Sequence, residues 1–136
     1  MNESISKMTS QLSVNDIQIA IAVHKNDVWF CRICVTSIRH FYPEIEIVLL
    51  KDELNGQFST EEIEKFWNVK LFDLGKKEFG WAASKVFYTL LAPEGKHCLI
   101  LDSDIIFVSH FLEKLLPAIQ ENDIVLNAEY YENPYA

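Results

Sequence analysis

Two aspartates with one residue between them, Asp102 and Asp104, interrupt a long apolar run. Cys98-Leu99-Ile100-Leu101 precedes them and Ile105-Ile106-Phe107-Val108 follows. In extended chain a period of two puts both carboxylates on one face, roughly 7 Å apart at the α-carbons. Two anions so placed repel, and burying either is costly without a counter-charge. A hard divalent cation is the natural counter-charge, and Mg²⁺ or Mn²⁺ suits carboxylates combined with phosphate oxygens. Asp102 and Asp104 are therefore the candidate metal ligands, with Ser103 between them at a candidate ligand-binding turn. The plainer alternative is a cap, with one of the two serving the helix expected near residue 109 and both solvated.

Other reactive residues read mostly as structure. Cys31 and Cys34 form C-x-x-C, but the spacing falls inside an amphipathic helix, where buried thiols are expected and not a redox or zinc pair. Cys98 reads as core packing. His97 and His110 read as surface or capping residues, and His40 as a favourable cation near a helix end. Trp29 and Trp67 read as packing. Lys85, on a helical face with Trp81 and Tyr88, has two readings: a cation for phosphates or sugar, or a stem laid over aromatic rings.

These residues must be positioned by the rest of the chain, which is long enough for one domain with a real core. Of its 136 residues 49% are hydrophobic and 24% charged, a globular profile, and the net charge of −8 argues against nucleic acid as a partner. The only glycines, at 56, 75, 80 and 95, are too scattered for a glycine-rich phosphate loop. The apolar runs are too short to span a membrane, and the first sixteen residues lack the pattern of a secretory signal. With the free thiols, this predicts a cytoplasmic protein, free or peripheral at the inner membrane face.

Residues 1–16 read as a flexible tail, and 17–136 as one α/β domain. Strands are expected at 17–23, 44–50, 68–74, 96–108 (broken at the aspartates) and 122–130. Between them lie a helix over 28–42 behind Asp27, with its stripe at 30, 33, 34, 37, 38 and 41, and a short helix to Trp67 behind a Ser59/Glu62 capping box. Helices at 82–93 and 110–121 complete the alternation. The fold class is α/β, a mostly parallel twisted sheet with helices on both faces and right-handed crossovers. Ligands of such sheets bind beyond the carboxyl ends of the strands, which singles out Val23, His24, Asn26 and Asp27 with Asp102, Ser103 and Asp104. An open sheet edge would pair with another copy of the chain.

The sequence strand–HKND–helix, then Ser84-Lys85 on a helix, then a hydrophobic run ending L-D-S-D-I, resembles the GT-A glycosyltransferases, most closely the family 8 type. The resemblance runs from about Ile17 to Asn127. It implies a Rossmann-like nucleotide-diphospho-sugar transferase fold, a UDP-linked sugar donor, Mn²⁺ or Mg²⁺, and a glycan, lipid or protein acceptor. By it Asp104 holds the metal, Asp102 shares the metal or contacts the ribose, and Lys85 contacts the donor. Val23, His24, Asn26 and Ser103 line the same donor site. Because GT-A enzymes of this type are longer, the resemblance also implies a chain covering only the N-terminal, donor-binding half. Two other readings stand beside it: a non-catalytic GT-A-like binding module, and a D-x-D phosphotransferase.

Overall fold

The computed structural model describes residues 11–125, apart from 53, 55, 76–82 and 92. Four parallel strands form one sheet: β1 (Ile17–Ala22), β2 (Glu46–Lys51), β3 (Lys70–Asp73) and β4 (His97–Asp102), in the order β3-β2-β1-β4. Helices α1 (Val28–Phe41), α2 (Glu61–Trp67), α3 (Ala83–Leu91) and α4 (Leu112–Glu121) alternate with them. The α/β class and the parallel sheet read from the sequence are what the chain adopts.

The two faces of the sheet follow from the period of two. Ile17, Ile19, Ile21 and Val23 of the first strand segment join Ile47 and Leu49 in one core with Cys31, Cys34, Val35 and Ile38 of α1, Ile63 of α2 and Leu112 of α4. Ala20, Val48 and Leu50 face the other way, against Tyr88 of α3. β1 is buried at every residue, as a central strand covered on both faces must be.

Two side chains tie the α1 layer together. Arg39 donates from Nε to the Trp67 carbonyl at 2.9 Å, and from its two terminal nitrogens to the carbonyls of Ile45 at 2.6 Å, Asn68 at 3.1 Å and Tyr42 at 3.4 Å. It thereby closes the end of α2, where Asn68 takes the left-handed conformation (φ 51°). Tyr42, buried at the end of α1, accepts from the backbone N–H groups of Phe111 and Leu112 and donates to Glu113 at 2.7 Å. Its hydroxyl does for α4 what a side-chain cap usually does. That hydrogen bond also lowers the Glu113 carboxyl from its ordinary value.

Several local expectations are corrected. The helix over 28–42 buries Cys31, Cys34, Val35 and Ile38, and leaves Phe30 exposed. Apolar residues lie on several sides of this helix, so periodicity did not select the face that meets β1. Trp29 is 65% exposed and lies outside the core, whereas half-buried Trp67 packs against it. The capping box does not form: Thr60 is the N-cap of α2, and Glu62 pairs with Arg32 at 2.7 Å. Part of the expected tail, Val14–Asp16, makes a 3₁₀ turn in which Ser13 and Asp16 bond each other. The fourth strand stops at Asp102 and does not resume over 105–108. Residues 122–125 of the expected fifth strand are not in a strand, and 126–130 lie outside the described residues, as does Trp81. Among the described residues no helix is long and apolar enough to cross a membrane.

Candidate functional site

With the order β3-β2-β1-β4, the connection from β1 leads to one side and β4 lies on the other, so the strand order reverses between β1 and β4 while all strands stay parallel. That crevice is where a parallel α/β sheet leaves room for a ligand. The register fixes what meets there: Ala22 pairs with Asp102, so the last residues of both strands stand side by side.

Beyond β1 the chain turns sharply. The N–H of Asp27 donates to the His24 carbonyl at 2.8 Å, and the N–H of Asn26 donates to His24 Nδ1 at 3.2 Å. This holds the half-buried imidazole against its own turn and leaves Asn26 exposed at the rim. Asp27 is the N-cap of α1 by position, without a side-chain cap bond. Val23 is fully buried in the α1-side core and its N–H donates to the Leu50 carbonyl at 3.1 Å, so its side chain is committed to packing.

Beyond β4 the chain also turns at once. Ile105 N–H approaches the Asp102 carbonyl at 3.4 Å, closing a turn over Ser103 and Asp104. The two aspartates are therefore joined by a turn and do not share one extended face. Asp102 falls in register with the α3-facing residues of its strand, Cys98 and Ile100, and its Oδ1 contacts the Lys85 ammonium of α3. Asp104 is exposed; burial above all, then the neighbouring Cys31 and lastly the Asp104 charge, pushes the Cys34 thiol up to about 12. Burial likewise raises Cys31 to about 12 and Cys98 to about 11, which keeps all three thiols protonated and unreactive, as the helix and strand positions suggested. Ser103 is buried between the aspartates. Phe107 is held by donating its N–H to Ser37 Oγ at 2.9 Å, which draws the chain across α1 and explains why the apolar run after Asp104 is not a strand.

The capping alternative for the aspartates is not adopted. The N-cap position of α4 is Phe111, and the Tyr42 hydroxyl serves the first amides of that helix.

One acidic residue at this edge was not singled out from the sequence. Asp52 directly follows β2 and is 1% exposed. The signal was present, since a carboxylate directly after an apolar strand lies on the same rim as the end of β1. The loop after it is pressed against the β1 turn: Gly56 (φ +91°) lies so close to the Lys25 side chain that a Cβ there would come within 2.4 Å of Lys25 Cδ.

Whether a divalent cation fits is a question of donor chemistry. Among the described residues no three of His, Cys, Asp and Glu are grouped to hold an ion. Mg²⁺ and its relatives are commonly held by one or two carboxylates, with water and substrate phosphates completing the shell. Asp102 and Asp104, two carboxylates within one turn, are donors of the kind such a cation takes together with phosphate oxygens.

Known sequences decide what kind of protein carries this arrangement. The family model described as Glycosyl transferase family 2 matches residues 20–134, which includes every strand and helix named above except the start of β1. The chain belongs to glycosyl transferase family 2. No curated protein and no solved structure matches it. The glycosyltransferase class and GT-A type of fold that the resemblance implies are therefore correct, and the family model that matches is that of family 2. This family 2 domain is a glycosyltransferase domain, whose class takes a sugar from a nucleotide donor and passes it to an acceptor.

Proposed function

We propose that the edge where β1 meets β4 is the donor site of a metal-dependent glycosyltransferase using a nucleotide-diphosphate sugar, UDP-linked, with a hydroxyl of a glycan, lipid or protein as acceptor. The observation that carries this reading is the Ala22–Asp102 pairing, which sets the β1 turn, the aspartate turn and Lys85 around one crevice. Asp104 and Asp102 would hold Mn²⁺ or Mg²⁺, which would supply Lewis-acid stabilisation of a departing nucleoside diphosphate.

The remaining roles belong to side chains of this chain. Lys85 presents a fixed positive charge toward the phosphates, offsetting an acidic surface that would otherwise repel them. His24, Asn26 and Asp52 border the crevice on the β1 and β2 side and receive the base and ribose. Ser103 and the Val23 backbone shape its floor.

The test is a thermal-shift panel of UDP, GDP, CDP and ADP, each with and without Mn²⁺. A ligand confined to the folded state stabilises it by about 2.7 kcal/mol at a hundredfold excess over Kd. One nucleotide is expected to raise the melting temperature, and to do so only with Mn²⁺. No shift with any of the four would remove the donor-site reading. Binding without turnover of the matching nucleotide sugar would make the domain a non-catalytic nucleotide binder.

A further inference from the structure

Lys85 stands where a bound cation would contest its place. Its side chain is 22% exposed, against 47% for Asp102, and the two are in direct contact. The lysine is anchored from below. Flanking Ser84 is fully buried, and Tyr88, one turn on, is buried with its hydroxyl donating to Gln18 of β1. Asp104, two residues beyond Asp102, is exposed and has no ion-pair partner among the described residues. One carboxylate of the pair is thus already neutralised by the protein itself, and the other is not.

We propose that Lys85 couples the two ligands of this site, holding Asp102 away from a divalent cation until a diphosphate arrives to take the ammonium. The inference rests on the donor-site reading above. A divalent ion held by Asp102 and Asp104 would share the Asp102 carboxylate with the Lys85 ammonium, and like charges that close repel. A diphosphate would accept from the ammonium and so free the Asp102 carboxylate for the ion. Each ligand therefore tightens the other, by the same factor in both directions. Lys85 acts here as a positioning residue, setting the order in which the site fills.

The experiment reads free Mn²⁺ by electron paramagnetic resonance in titrations of the full chain, alone and with each of UDP, GDP, CDP and ADP. Wild type, Lys85→Met, Lys85→Gln and Lys85→Arg are compared, with melting curves to confirm folding. The neutral variants are expected to bind Mn²⁺ alone on the order of fivefold more tightly than wild type, and to lose most of the gain that nucleotide gives. Lys85→Arg keeps the weak metal-only binding and the gain. Unchanged Mn²⁺ affinity in both neutral variants, with nucleotide-dependent binding intact in wild type, overturns the coupling role alone. Absence of Mn²⁺ binding in every form, even with nucleotide, overturns the donor-site reading and this inference together.

Discussion

Asp104→Asn is expected to weaken Mn²⁺-dependent nucleotide binding by on the order of a hundredfold while leaving the fold intact. Asparagine keeps the shape of the side chain and one oxygen but removes the negative charge a hard cation requires. The side chain is exposed and caps no helix, so the stability change should stay within about 0.5 kcal/mol. That separation makes this the cleaner of the two aspartates to test. Asp102→Asn would also release Lys85, mixing loss of a metal ligand with loss of an ion pair. Titration of Mn²⁺ against the variant in saturating nucleotide gives the answer, and wild-type affinity in Asp104→Asn would exclude it as a ligand.

Arg39→Ala is expected to destabilise the domain by about 3 kcal/mol, a large part of a typical total of about 5–15 kcal/mol. The guanidinium donates to four backbone carbonyls in three separate stretches: the end of α1, the entry to β2 and the end of α2. Half-buried as it is, removing it leaves carbonyls that water reaches poorly. Burial itself lowers the Arg39 pKa, partly opposed by Glu44, so the group is held in place against a desolvation cost. Arg39→Lys keeps the charge but not the planar fork, and should recover less than half of the loss. Urea denaturation with a shared slope measures both variants. A loss under about 1 kcal/mol in Arg39→Ala would show that solvent replaces the guanidinium.

Much of this architecture is legible in the sequence because the sheet is buried. The run Ile17–Val23 has no polar interruption except Gln18, and that residue is satisfied by Tyr88 inside the core. Such a run can only be a central strand or a buried helix, and the alternation with helical stripes selects the strand. The edge at which the candidate residues meet follows from the same topology, so His24, Asn26, Asp102 and Asp104 could be placed without coordinates.

What was misread has a common cause. The residues 105–108 are as apolar as the strand before them, and nothing local reveals that Ser37 captures the Phe107 amide and redirects the chain. The outward side of α1 carries Trp29, Phe30 and Ile33, so its pattern does not say which side meets the sheet. The cap of α4 is supplied by Tyr42, some seventy residues earlier in the chain, beyond the reach of any local motif. Lys85 is the instructive middle case. Its spacing from Asp102 was visible, but the contact depends on Asp102 belonging to the α3 face, which the register with β1 decides.

The most direct test of the central claim is amide chemical-shift mapping of the ¹⁵N-labelled domain with Mg²⁺ and the nucleotide selected by the thermal panel. The donor-site account predicts the largest changes at His24, Asn26, Asp52, Lys85 and Asp102–Asp104, with little along α4. Changes centred instead on the apolar groove of α1 and α2, lined by Trp29, Ile33, Phe66 and Trp67, would place the ligand away from the aspartates and contradict it.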